Sequence, residues 1–325
     1  MKKILLPIIL TPVIFLLIAG GLILSQSPQP LPSDREGLDF SGILAGEATA
    51  VREPTDVPMR DGTVMPARLY GEPDNRPLLV LIHGSGWHGM QFDGLARALS
   101  GDAFVVVPDL RGHGAKPERR GDVDHIGQYE EDLADLIDNL RQDDQKVVVA
   151  GHSSGGGLVV RMAGGAYGDR MDKAILLAPL LKYNAPTMRP DAGGWTQALT
   201  RRIIGLTMLN MVGITAFNDL PVIQLAMPRA VLDGPLGNTA TTTYTYRLNS
   251  GFAPREDYLK DAAALPPFLL IAGSDDEAFV AEAYEPLLSD VNTRGTYALI
   301  DGVGHLDIVD NAETVGLIRA FLGGA

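Results

Sequence analysis

The sequence predicts an α/β fold: a mostly parallel central sheet with flanking helices and an inserted cap, preceded by an N-terminal transmembrane helix. Three observations predict it. Short continuous apolar runs recur along the chain, amphipathic segments of helical period lie between them, and the alternation lapses over one long stretch before it resumes.

The elements follow in order. Met1-Lys2-Lys3 precedes an apolar run over residues 4–24. About 20 apolar residues at ~1.5 Å each cross a ~30 Å hydrocarbon layer, so residues 1–24 are expected to form a membrane anchor. The other reading is a cleaved secretory signal, for which Ser25-Gln26-Ser27 is a poor small-x-small site. Lys2 and Lys3 direct everything after Leu24 across the membrane by the positive-inside tendency. The expected location is therefore membrane-anchored with the globular part extracytoplasmic, or secreted if the segment is cleaved. Residues 25–45 open with SQSPQPLP, run into Asp34-Arg35-Glu36 and read as an extended linker. Residues 46–325 form the globular domain.

Within it, residues 57–60 and 63–70 flank Asp61-Gly62, a hairpin signal. Further strands are expected at 77–82, 104–108, 147–150, 174–178, 268–272 and 297–300. Their unbroken apolar character suits strands buried on both faces. Residues 129–141 place Leu133, Leu136, Ile137 and Leu140 on one helical stripe, and 311–322 do the same with Val315, Leu317, Ile318 and Phe321. The alternation fails at about 182–261, which holds a Met-rich apolar stretch (203–212) and a Thr/Tyr run (241–246). This segment reads as a cap inserted over the sheet.

Composition narrows the chemistry. A chain of 325 residues, 46% hydrophobic, can bury one large core. With 27 Lys+Arg against 40 Asp+Glu, its net charge of -13 would repel a phosphate backbone, and no basic stripe offsets it. Nucleic acid is not an expected partner. The absence of cysteine excludes disulfides, thiolate metal sites and a cysteine nucleophile. Reactivity has to come from serine, histidine and carboxylates.

Gly151-His152-Ser153-Ser154-Gly155 lies between a predicted strand and a helix-like segment at 156–163. Small residues on both flanks let the chain turn sharply there and lift a hydroxyl above the sheet, which points to Ser153 as a nucleophile. Such a hydroxyl needs a base to take its proton and a carboxylate to orient that base. His83-Gly84-Ser85-Gly86 and Asp109-Leu110-Arg111-Gly112-His113-Gly114 each follow an apolar run. Gly273-Ser274-Asp275-Asp276-Glu277 and Asp301-Gly302-Val303-Gly304-His305 follow the last two.

In this order, over roughly residues 55–322, these motifs resemble the α/β-hydrolase superfamily. The pattern is most similar to monoacylglycerol lipase and lysophospholipase-like members. It departs from them at Ser154, where those often carry methionine, and in the cap. The resemblance implies the chain order Ser, acid, His, which makes His305, the one histidine after position 152, the base. It implies Asp276 as the acid through its Gly-x-x-Asp turn, with Asp275 as the alternative. Either carboxylate could instead cap a helix beginning near Glu277. It also implies the backbone N–H groups of Ser85 and Ser154 as oxyanion donors, with Gly86 allowing close approach. His83 and His152 are then structural, and residues 109–114 organise their loop. Asp109 and His113 lack a second His/carboxylate pair at ligand spacing, so neither a metal nor a cofactor is expected.

The expected activity is that of a serine hydrolase cleaving carboxylic esters through an acyl-enzyme on Ser153. The expected partner is a small-molecule ester or a lipid. The anchor, and the cap residues Leu206, Met208, Leu209, Met211 and Val212, suggest lipid or acylglycerol esters. Two alternatives remain open. One is a serine aminopeptidase-like amide hydrolase, in which Asp219, Glu256 or Asp257 would receive an amine. The other is a non-catalytic, membrane-held binding protein on a hydrolase scaffold.

Overall fold

The computed structural model describes residues 2–31, 37–42 and 52–324, without the side chains of residues 2–9 and of Asp191. The charged part of the expected linker, Asp34-Arg35-Glu36, lies outside the described residues.

After helix α1 (Lys2–Leu24), the hairpin of β1 (Thr55–Pro58) and β2 (Val64–Tyr70) leads into β3 (Leu78–Ile82) and α2 (Asp93–Leu99). Next come β4 (Phe104–Pro108), α3 (Gln128–Leu140), β5 (Val147–His152), α4 (Ser154–Ala163) and β6 (Lys173–Leu177). The chain then leaves the sheet for an insertion. It contains β7 (Thr196–Ala198), α5 (Thr200–Met211), β8 (Pro221–Leu225), α6 (Arg229–Leu232), β9 (Thr243–Thr245), α7 (Tyr246–Phe252) and α8 (Tyr258–Ala263). The sheet resumes with β10 (Phe268–Gly273), α9 (Tyr284–Ser289), β11 (Gly295–Ile300) and α10 (Ala312–Gly323).

Eight strands form the main sheet in the order β1-β2-β4-β3-β5-β6-β10-β11. The β1–β2 and β2–β4 pairs are antiparallel, and the remaining pairs are parallel. Strand order reverses at β3, which lies between β4 and β5. In open α/β sheets, ligands bind beyond the carboxyl ends of the strands at such a reversal.

The unbroken apolar runs become strands covered on both faces, because alternate residues point to opposite sides. Leu78, Val80 and Ile82 of β3 join one core with Leu133, Leu136 and Ile137 of α3 and Val159 of α4. Leu79 and Leu81 join the opposite core with Leu95 and Leu99 of α2 and Ile318 of α10. Each such fully buried side chain contributes about 1.5–3 kcal/mol relative to exposure.

The insertion differs from its sequence reading. It holds a three-stranded antiparallel sheet, β7-β8-β9, that no period in the sequence announced. Its Met-rich helix α5 packs along α1: Leu206 and Leu209 are buried with Ala19, Ile23, Val222 and Tyr246. A Cβ at Gly205 would lie 2.6 Å from the Ala19 carbonyl oxygen, so glycine sets how closely the two helices approach. The remaining residues of the expected substrate-facing stripe do not form a ligand wall either. Met211 and Val212 are exposed, at 77% and 56%.

The expected transmembrane helix is not supported by this structure. Among the described residues no helix is long and apolar enough to cross a membrane. The part of α1 with described side chains begins at Leu10, and its final turns bury one face against α5.

Candidate active site

The site is assembled at the carboxyl ends of β3, β5, β10 and β11. Between β5 and α4, Ser153 adopts φ 53° and ψ -119°, a conformation that non-glycine residues rarely occupy. The turn is held by Ser153 N–H donating to the Leu177 carbonyl at 2.9 Å and by the Ser153 carbonyl accepting from Gly157 and Leu180. Its flanks have to be glycine: a Cβ at Gly151 would lie 2.3 Å from the Gly155 carbonyl oxygen, and one at Gly155 2.2 Å from that of Ile82.

His305 sits in the loop after β11, 1% exposed, with its Nδ1 2.8 Å from Asp276 Oδ2. The other Asp276 oxygen accepts from the backbone N–H groups of Ala278 and Phe279, at 2.8 and 2.7 Å. Burial raises the Asp276 carboxyl, but His305 and these two donors outweigh it and hold the group below the usual carboxylate range. Asp275 is exposed and accepts from Ser274 Oγ, so Asp276 is the carboxylate that the structure brings to His305. The helix expected near Glu277 is absent. The residues after Asp276 form a bend, and the carboxylate accepts directly from the N–H groups of Ala278 and Phe279 there.

Further contacts fix the His305 loop. Glu277 accepts from His305 N–H at 2.7 Å with one carboxylate oxygen and from Asp39 N–H at 3.1 Å with the other. The His305 carbonyl lies 2.9 Å from His152 Nε2, and His152 Nδ1 lies 2.7 Å from Gln91 Nε2. Burial drives His152 down to about 3, so the ring is neutral; these partners assign its proton to Nε2. His83 is likewise neutral, lowered to about 4 by burial, and is paired with the Gly84 carbonyl and Leu110 N–H. Among the described residues, Ser153 Oγ makes no hydrogen bond to His305. In serine hydrolases that contact often tightens only with substrate in place.

The loop after β3 brings Ser85 against the start of α4, with the Ser85 and Ser154 hydroxyl oxygens 2.5 Å apart. Ser154 opens α4, so its N–H precedes the helical hydrogen-bond ladder. Just past this loop, Phe40 packs between Trp87 and Trp195, with ring centroids 5.6 and 5.7 Å away.

Ser153, Asp276, His305, Ser85 and Ser154 thus lie at this one end of the sheet. Sequence reading missed Gln91, Glu277 and Tyr244. Tyr244 fell in the Thr/Tyr run without a role, Glu277 was read only as the end of the acid motif and the start of a helix, and Gln91 carried no signal. The acidic residues considered for an amine do not converge here: Asp219 and Asp257 are exposed, and Glu256 pairs with Lys182 at 2.8 Å. Among the described residues no group of His, Asp and Glu could hold a metal ion. A cavity of about 930 Å³ beside Arg68, Asp109, Arg111 and Lys116 includes neither Ser153 nor His305, so volume does not mark the site.

Comparison with known proteins agrees with this architecture. The family described as serine aminopeptidase, S33, matches residues 73–311. Human monoglyceride lipase is 26% identical over 178 residues, 51% of this chain and 56% of that protein. An uncharacterised protein of Mycobacterium tuberculosis is 34% identical over 87 residues, 27% of this chain and 25% of its own. The chain thus spans only a quarter to about half of these relatives. A soluble variant of monoglyceride lipase from Saccharomyces cerevisiae superposes with a TM-score of 0.66 at 17% identity, covering 91% of this chain and 98% of that one. Monoacylglycerol lipase from Paleococcus ferrophilus gives 0.58 at 20%, covering 79% and 96%. The fold is that of the α/β-hydrolases.

Proposed function

The chain belongs to the serine aminopeptidase S33 family of hydrolases, and from that premise we propose that it cleaves carboxylic esters through an acyl-enzyme on Ser153. The observation that carries this reading is the buried 2.8 Å pair of His305 Nδ1 and Asp276, set beside a serine in a strained turn. In this reading Ser153 Oγ attacks the ester carbonyl while His305 Nε2 takes its proton and passes it to the leaving alcohol. Asp276 keeps the Nδ1 proton in place and stabilises the imidazolium. The N–H groups of Ser85 and Ser154 receive the developing oxyanion. Water, activated by His305, then releases the acid. The residues themselves supply every proton transfer.

The substrate class proposed is a lipid or acylglycerol ester. It is supported by the likeness to monoglyceride lipases and by the apolar residues around the site, Phe279 against His305 and the Phe40, Trp87, Trp195 group. The α5 stripe gives no support, because Leu206 and Leu209 pack with α1 and Met211 and Val212 are exposed. Labelling by a fluorophosphonate, compared between the wild type and Ser153→Ala, tests the nucleophile. Monoacylglycerols of rising chain length against an acetyl ester and an aminoacyl amide test the substrate. Preference for the amide would replace the ester reading with the activity in the family's name.

We also infer a membrane tether with the hydrolase domain on the extracytoplasmic side. Support comes from the apolar run at 4–24 behind Lys2 and Lys3, and from the outward residues Leu16, Leu17 and Ile18, which are 43%, 70% and 51% exposed. Release of the full chain from membranes by salt alone, without detergent, would overturn it.

A further inference from the structure

We propose that Tyr244, carried by β9 of the insertion, is a positioning residue that selects which amide of the 83–86 loop faces the oxyanion. The inference rests on the acyl-enzyme reading above.

Three consecutive N–H groups in this loop compete for that task. Gly84 N–H donates to Gln91 Oε1 at 3.0 Å, and Gly86 N–H donates to the Tyr244 hydroxyl at 2.5 Å. Between them, Ser85 N–H has no protein acceptor among the described residues. Side chains therefore occupy the two neighbours and leave the middle amide available. The next peptide along is held as well, because the Gly86 carbonyl accepts from Thr241 N–H at 3.0 Å. Residues 241–244, from the element that covers the site, thus clamp the loop in two places.

The direction of the Tyr244 hydrogen bond follows from its second partner. His113 Nε2 lies 2.8 Å from the Tyr244 oxygen, and His113 Nδ1 lies 3.1 Å from the Arg111 carbonyl. A carbonyl can only accept, so Nδ1 carries the proton and Nε2 of the neutral ring has to accept. Burial, the largest influence on His113, keeps that ring neutral by pushing it well below its ordinary value. The Tyr244 O–H therefore donates to His113, which leaves the oxygen's lone pairs to receive Gly86 N–H. The side chain has little freedom to swing: it is 2% exposed, and its ring meets His113 edge-on at 5.3 Å and Phe252 at 6.2 Å.

The clamp is needed because of what it holds. Gly86 has φ +76°, where glycine alone is unstrained, so nothing intrinsic to the residue resists rotation of the peptide before it. That peptide carries the Ser85 carbonyl. If it rotates, a carbonyl dipole can turn toward the place where negative charge develops, and Ser85 N–H loses a fixed neighbour. The penalty falls on the transition state more than on bound ester, because only the transition state carries the full oxyanion charge.

The test compares full-length wild type, Tyr244→Phe and His113→Leu, each checked for folding by circular dichroism and Tm. Tyr244→Phe should lower kcat by about 10- to 100-fold, somewhat less than loss of an oxyanion donor itself, with KM nearly unchanged. Affinity for a trifluoromethyl ketone should fall in the same proportion, while Ser153 still takes up the fluorophosphonate. His113→Leu removes the acceptor that orients the hydroxyl and should show a smaller loss in the same constant. Unchanged kcat and ketone affinity in Tyr244→Phe, or a loss confined to KM, would overturn the proposal. If Tyr244→Phe does not fold, an unaltered kcat in folded His113→Leu would do the same. Wild type that never labels would show instead that the acyl-enzyme reading has failed, and the clamp would fall with it.

Discussion

His305 is fixed on three sides: by Asp276 at Nδ1, by Glu277 at its backbone N–H and by His152 at its carbonyl. Asp276→Asn preserves the shape of the pair but favours the wrong tautomer, and kcat should drop about 10⁴-fold while KM changes little, as steady-state kinetics would show. Glu277→Gln leaves the Asp276 contact intact and should cost far less, about tenfold or below, because it only loosens the loop that carries the base. Ser153, Asp276 and His305 could be singled out from the sequence because each sits in a glycine-bearing turn after an apolar run. The choice between Asp275 and Asp276 needed the family resemblance. The contacts of Glu277 and Tyr244 could not be read: their partners lie 28 and 158 residues away along the chain, and no local pattern encodes such a meeting.

At the scale of elements, the sharp strand-to-helix turn depends on the close passage of Gly155 under β3. Gly155→Ala places a Cβ 2.2 Å from the Ile82 carbonyl oxygen. It should cost about 1–3 kcal/mol or more by overpacking, seen as a lower Tm together with loss of activity. The main strands were legible because β3, β4 and β5 are buried throughout, and an unbroken apolar run is what two-sided burial requires. The insertion was not legible, because β7 and β9 have only three residues each, too few to establish a period. Helix α5 shows a related limit. Its stripe was visible in the sequence, but a stripe does not say what meets it: here Leu206 and Leu209 pack with α1, while Met211 and Val212 stay exposed.

Over the whole molecule, burial keeps four of the six histidines neutral. It lowers His83 and His88 to about 4, His152 to about 3 and His113 well below its ordinary value. The unfolded chain takes up protons at these positions from about pH 6.5 downward, whereas the folded chain does not. More protons are therefore bound to the unfolded state, and stability has to fall as pH drops from 6.5 toward 4, by at most ~1.4 kcal/mol per pH unit for each histidine. Asp276, held low in the fold, adds to the loss only as pH falls below about 4, through its own depressed native value. Thermal unfolding across pH 4–8 should show this decline beginning near 6.5. A Tm that stays flat down to pH 5 would contradict the buried neutral state.

The chain contains two tryptophans, and Phe40 touches both. One stands beside the 83–86 loop and the other in the insertion, while Phe40 belongs to the segment that follows α1. The indole emission of this protein is therefore an intrinsic optical probe of a single junction, with no tryptophan elsewhere to dilute the signal. Lifting residues 37–42 away would hydrate both rings at once and shift the emission to longer wavelength. Phe40→Ala provides the calibration for that shift, so docking of the N-terminal segment can be followed in real time, without labels, during turnover.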